Sequence, residues 1–203
     1  MGLYDSWLMP RLCHLAMRSK RLVPPRQRVV GAAEGDILEI GIGSGLNFPY
    51  YGPQARRVFA LEPSPHLIDM AQHAARKASV PAAFLQASAE QIPLDAKSVD
   101  TIVMTWVGCS IPNVDAALHE MHRVLKPGGR LLFVEHGRAP DANVERWQQR
   151  LEPIWRPLSG GCHLTRRITD QMPAAGFRVA QLETGYLPGP KVLTFLYEGS
   201  ATV

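Results

Sequence analysis

The sequence predicts an α/β fold: a mostly parallel, seven-stranded sheet with helices on both faces, ended by a C-terminal antiparallel hairpin. Three observations carry this reading. Between residues 35 and 136, short apolar runs alternate with stretches of helical periodicity, the pattern of strands joined by helical crossovers. The first run, Ile37 to Ile40, breaks into Gly41-Ile42-Gly43-Ser44-Gly45, a tight turn of the kind that lets a ligand approach the backbone. Near the end, two apolar runs are separated only by Leu187-Pro188-Gly189-Pro190, too short for a parallel crossover.

Taken in order, residues 4–19 put Trp7, Leu8, Leu12, Leu15 and Ala16 near helical spacing, with Pro10 interrupting, which predicts one bent helix or two short ones. A second short helix is expected over 26–34. The strands follow at 37–40, 57–61, 82–86, 99–104 and 130–135. Helices are expected at 65–77, with Leu67, Met70, Ala71 and Ala74 on one face, and at 114–125, stopped by Lys126-Pro127-Gly128-Gly129. After residue 136 the pattern changes to a helix over 141–155 with Val144, Trp147, Leu151 and Trp155 on one side. A glycine-rich loop at 159–163 and a helix near 165–175 come next. Strands at 177–186 and 191–197 close the chain. No repeat or linker divides it, so one domain is expected: a helical segment at 1–30, a ligand-binding core at 34–136, further helices and a loop at 137–176, and the hairpin at 177–203.

At 203 residues the chain can bury a core without staples. Three cysteines, Cys13, Cys109 and Cys162, are too few and too scattered for a disulfide framework, so a reducing compartment is expected. No apolar run reaches the ~18 residues of a membrane span, and the start lacks the regions of a signal peptide. A cytoplasmic location follows as the expectation. Net charge is +4, yet residues 1–30 hold six basic residues against Asp5, leaving the rest near neutral. A nucleic-acid enzyme spreads a basic face over its core. Here the charge sits on one segment, which suits a lid or a peripheral contact with an anionic membrane. Nothing in the sequence sets the oligomeric state.

The turn after the first strand separates two ligand classes. A dinucleotide fingerprint needs glycine at position 46, where this chain has Leu46. Glu39, two residues before Gly41, can receive the ammonium of an amino-acid ligand, which NAD lacks. Glu62 ends the second strand 21 residues after Gly41, the distance at which an acid meets ribose hydroxyls.

These residues resemble motif I of the class I S-adenosylmethionine (SAM) methyltransferases, and Glu62-Pro63-Ser64-Pro65 resembles motif II. With the Leu-Lys-Pro-Gly-Gly turn at 125–129, the resemblance covers residues 34–136 and implies the Rossmann-like fold of that class. It implies S-adenosyl-L-methionine as cofactor, with Glu39, Gly41, Gly43, Gly45, Glu62, Pro63, Ser64, Ser88, Ala89 and Thr105 as its site. Ser88 stands where many relatives carry an acid. Glu135-His136-Gly137-Arg138 and Gly161-Cys162-His163-Leu164-Thr165-Arg166 resemble a small bacterial group. The latter passage also resembles the animal methyltransferase-like family, which methylates alkyl thiols and sits on membranes by an apolar anchor not seen here.

No Asn/Asp-Pro-Pro-Tyr/Phe segment follows the fourth strand, and no acidic cluster suits a chelated Mg²⁺. An acceptor that is already nucleophilic or needs one mild base remains: a thiol, an activated carbon, an amine or a carboxylate. The expectation is a small, largely apolar acceptor, with thiol sulfur ahead of a quinone-like ring carbon or a lipid-headgroup nitrogen. A thiol with a pKa near ~8.5 is within reach of a histidine base, which makes His136 and His163 the candidates. Each also fits an ordinary structural histidine. Tyr4, Trp7, Trp106, Cys109 and Cys162 are the candidate acceptor contacts. Cys109, His136, Cys162 and His163 could hold zinc, but without a Cys-x-x-Cys pair the expectation is no metal. The rival classes are an NAD(P)-dependent oxidoreductase and a non-catalytic SAM-binding module.

Overall fold

A computed structural model describes residues 9–203 of the chain, with side chains described from Arg11 onward. Tyr4 and Trp7 lie outside the described residues. Helix α1 (Met9–Met17) and helix α2 (Val23–Gly31) precede strand β1 (Gly35–Ile40). The order continues β2 (Ala55–Leu61), α3 (Pro65–Ala75), β3 (Ala82–Leu85), β4 (Val99–Thr105), α4 (Val114–Val124) and β5 (Leu125–His136). Then come α5 (Ala142–Leu158), α6 (Ile168–Gln171), β6 (Arg178–Tyr186), α7 (Lys191–Thr194) and β7 (Phe195–Thr202). The seven strands lie in the order β3-β2-β1-β4-β5-β7-β6. β1 to β5 run parallel, and β7 pairs antiparallel with both β5 and β6.

The apolar runs follow from burial on both faces. Leu38 and Ile40, Ile102 and Met104, and Leu131 and Phe133 pack on one face. Ile37, Val103, Leu132 and Val134 pack on the other, so the central strands have no polar face to show. α3 starts where Ser64 Oγ accepts from Leu67 N and Pro65 fills the first turn; α4 starts where Asn113 Oδ1 accepts from Ala116 N.

Three expectations need correction. The last strand begins at Phe195, not residue 191, because Lys191–Thr194 form one helical turn (α7). The helix expected near 165–175 is only Ile168–Gln171, broken before Pro173, which begins a short 3₁₀ turn. On α5, Val144, Leu151 and Trp155 are half-buried as expected, but Trp147 is not. Trp147 is 61% exposed while Gln148 is fully buried. Gln148 Oε1 accepts from Ala139 N at 2.9 Å, and its Nε2 donates to Gly137 O at 3.0 Å and Val192 O at 3.2 Å. The chain leaving β5 has backbone groups that a tryptophan could not satisfy, and this decides the rotation of α5.

Gln148→Leu should therefore strand three backbone groups and cost at least about 2 kcal/mol, lowering the melting temperature by roughly 4–8 °C. The exposed neighbour substitution Gln149→Leu should stay within about 0.5 kcal/mol. Thermal melts of the two variants check this.

Candidate active site

β1 and β4 are neighbours whose connections leave in opposite directions, toward β2 and toward β5. Their carboxyl ends part there and leave a crevice, the usual ligand position in open α/β sheets. It holds a cavity of about 370 Å³. The glycine turn forms its floor. Gly41 has φ +63°, and a Cβ there would lie 2.5 Å from Val107 Cγ2. Gly45 serves packing instead. It does not line the cavity, and a Cβ on it would meet Ala74 Cβ at 2.9 Å, blocking the approach of α3.

Glu39 is almost wholly buried and lines the cavity. Its Oε1 accepts from Asn47 Nδ2 at 2.7 Å and its Oε2 from Tyr51 Oη at 2.5 Å. Asn47 Nδ2 also donates to Thr105 Oγ1 at 3.0 Å, joining β1, the turn and β4. Burial pushes the Glu39 carboxyl up to about 8, against the opposing pull of the Tyr51 and Asn47 hydrogen bonds and the Arg26 charge.

Arg26 is the residue sequence reading missed. It is 3% exposed and lines the same cavity. Its Nη atoms donate to Met17 O at 3.3 and 3.2 Å, its guanidinium lies 5.0 Å from the centre of the Trp106 ring, and its buried Nε has no partner among the described residues. The signal was present: Arg26, Val29 and Val30 are all buried, an arginine on the apolar stripe of α2 at i, i+3 and i+4. Asn47 and Tyr51 left no comparable mark in the sequence.

Glu62 sits at the end of β2, with Oε2 accepting from Gly43 N and Oε1 from Ser64 N, each at 3.1 Å. Burial raises its carboxyl against those two bonds. Pro63, Ser64, Ser88 and Ala89 share its end of the cavity wall with Leu67. Ser88 is exposed, and its Oγ accepts from Glu90 N at 3.2 Å. Trp106 and Thr105 also line the cavity; Trp106 holds a left-handed φ of +52°, a costly conformation for a bulky residue.

The two predicted histidines lie elsewhere. The cavity lining does not include His136, which faces Cys162 Sγ at 3.7 Å beside buried Cys109. His163 is turned to Glu152 Oε1 at 3.0 Å, and it lines a separate cleft with Arg138 and Arg167. Cys109 and Cys162 stand behind the cavity wall, their sulfurs 3.2 Å apart. The histidine that does line the cavity is His14 of α1, whose Nδ1 lies 2.6 Å from Ser44 Oγ in the glycine turn. Cys13 and Met17 of α1, with Ser159 and Gly160 beyond α5, complete that side.

An acid buried beside an arginine, a second acid on the next strand and a glycine turn between them suit an amino acid joined to a nucleoside. This architecture defines a nucleoside-binding α/β protein. Residues 38–133 match the methyltransferase domain family. Thiol S-methyltransferase TMT1B of Rattus norvegicus is 36% identical over 157 residues, 74% of this chain and 63% of that protein. Thiol S-methyltransferase TMT1A of Homo sapiens is 33% identical over 174 residues, 83% of this chain and 71% of that protein. The fold is shared with the N-methyltransferase NodS of Bradyrhizobium japonicum WM9, solved with S-adenosyl-L-homocysteine, at TM-score 0.68 and 18% identity, over 97% of this chain and 91% of that one. The chain belongs to the class I S-adenosylmethionine-dependent methyltransferases. It spans a little under two thirds of the TMT1B length, 63%.

S-Adenosyl-L-methionine is the cofactor of this family, and the cavity fits it. Glu39 and Arg26 line it with an acid suited to an ammonium and a guanidinium suited to a carboxylate, Arg26 with a buried Nε that has no partner among the described residues. Glu62 suits ribose hydroxyls, and Leu67, Ala87 and Ala89 offer an apolar slot for a base.

The raised Glu39 carboxyl has a measurable consequence. Its proton is held up to about pH 8, while an ammonium partner favours the carboxylate, so binding expels the proton and weakens as pH falls below about 8. Calorimetric titration with S-adenosylhomocysteine at pH 6.5, in two buffers of different ionisation heat, should report release of about one proton per site. Glu39→Gln should bind more weakly and release close to none.

Proposed function

We propose that the protein transfers a methyl group from S-adenosyl-L-methionine to the sulfur of a small, largely apolar thiol. The observation that carries this is the acceptor side of the cavity, where Met17, Trp106, Ile111 and Pro112 are joined by a single histidine, His14. Such a wall favours an apolar body bearing one weakly acidic group. The TMT1 relatives, thiol S-methyltransferases by name, support the choice of sulfur.

When bound, the cofactor supplies a methyl carbon activated by a sulfonium. The chain's part is to hold, orient and exclude water. Glu39, Arg26 and Glu62 are the polar anchors. His14 is shifted below the usual histidine range by burial and by Arg18, so at neutral pH its ring is uncharged and able to accept a thiol proton. On this reading His14 takes the part that the sequence assigned to His136 or His163.

Methyl-labelled cofactor and an acceptor panel read by mass spectrometry test the proposal. Alkyl and aryl thiols should gain the label. Labelling of a quinol or a headgroup amine with thiols inert would overturn the sulfur assignment.

On the same reading, helix α1 acts as a lid over this cavity. α1 lines the cavity, yet no described residue before Val29 belongs to either buried core cluster. A chain beginning at Val23 should fold and bind cofactor but lose at least about tenfold in kcat/KM, a ~1.4 kcal/mol effect. Because His14 is lost too, the deficit should be deepest at pH 6–7 and shrink above the thiol pKa of ~8.5. Unchanged turnover with loss of binding to anionic vesicles would make the segment a membrane contact instead.

A further inference from the structure

We infer that Cys109, His136 and Cys162 form a binding site for a thiophilic divalent cation, with zinc the ion of best fit. The sequence offers no metal signature here, since His136 lies 27 positions after Cys109 and Cys162 lies 26 positions after His136. The fold nevertheless gathers them from three places: the loop after β4, the last residue of β5, and the loop after α5. One ligand atom from each lies within 4.8 Å of the other two.

The distances suit a metal. Zinc bonds of about 2.3 Å to sulfur and 2.0–2.1 Å to nitrogen, in a tetrahedron, hold ligand atoms roughly 3.5–3.8 Å apart. Cys162 Sγ lies 3.7 Å from His136 Nδ1, 3.8 Å from its Nε2 and 3.2 Å from Cys109 Sγ, so a turn of the imidazole would aim one nitrogen at the ion. Small side-chain rotations open the second distance to the required value. The backbone is already clamped, because His163 N donates to Cys109 O at 3.0 Å and so fixes the Cys162 loop on the β4 loop.

The surroundings suit the charge. Two thiolates would add to Glu135, which is 1% exposed, with Oε1 held by Val107 N and Gly108 N and Oε2 without a partner. Arg166, anchored at 2.7 Å to Gly108 O and Ile111 O, supplies one positive charge beside them. A divalent cation supplies the remainder. Binding replaces the two thiol protons with the ion and releases both to solvent, with a water completing the tetrahedron. The ion would then tie together the loops whose Ser110, Ser159 and Gly160 wall the acceptor side of the cavity.

The test uses the full chain, purified in reductant without chelator. Elemental analysis should find close to one zinc per chain. Equimolar Co²⁺ added to reduced, metal-stripped protein should give thiolate-to-cobalt charge-transfer absorption. Cys162→Ser and His136→Ala should weaken zinc binding at least tenfold, and the Cys109→Ser/Cys162→Ser double variant should abolish the absorption. His163→Ala, adjacent but turned to Glu152, should retain the metal. The wild-type cobalt titration needs no variant to fold. Absence of that absorption, or zinc bound equally by the double variant, would overturn the site. A Cys109–Cys162 disulfide in protein that takes no cobalt after reduction would do the same.

Discussion

The buried carboxyl group of Glu39 is the point on which the cofactor half of the molecule depends. A carboxyl group taken out of water must be matched by donors, and here these come from Asn47 in the glycine turn and Tyr51 beyond it. Asn47 reaches on to Thr105 at the end of β4, and Arg26 brings α2 to the same place. One buried acid thereby fixes the mutual positions of β1, the turn, β4 and the second helix. Those donors offset only part of the desolvation cost, which leaves the acid poised for a cationic partner.

The two halves of the cavity are built differently. The cofactor half rests on strand ends and on a turn whose Gly41 and Gly45 are demanded by contacts with Val107 and α3. The half proposed for the acceptor comes from α1, the loop after β4 and the loop after α5. Strand ends in a seven-stranded sheet are held by their neighbours, whereas loops vary without disturbing the core. This division explains how one fold accommodates methyl acceptors of unlike chemistry. The junction between the halves is Trp106, held in a left-handed conformation with its ring 5.0 Å from the Arg26 guanidinium. Its backbone N donates to Val134 O at 2.8 Å, so the sheet itself enforces the turn.

Much of this was legible in the sequence. Strand-helix alternation, the glycine turn, Glu39 and Glu62 each follow from local chemistry: periodicity, backbone permissiveness, and an acid at a fixed distance from a turn. These are properties of contiguous residues, and a sequence states them directly. The parallel core and the positions of Glu39 and Glu62 beside the glycine turn therefore follow from contiguous residues alone.

What only the tertiary structure decided is which distant side chains meet. Gln148 rather than Trp147 faces inward because backbone groups of Gly137, Ala139 and Val192 need partners. His14 enters the cavity while His136 stays behind its wall because α1 folds back onto the glycine turn. Cys109, His136 and Cys162 converge because the loop after α5 meets the carboxyl ends of the neighbouring strands β4 and β5. Such meetings are set by the packing of whole elements, and packing is a property of the sum of all contacts. Sequence patterns report the period and polarity of one element at a time, so they fixed the elements and left their junctions open.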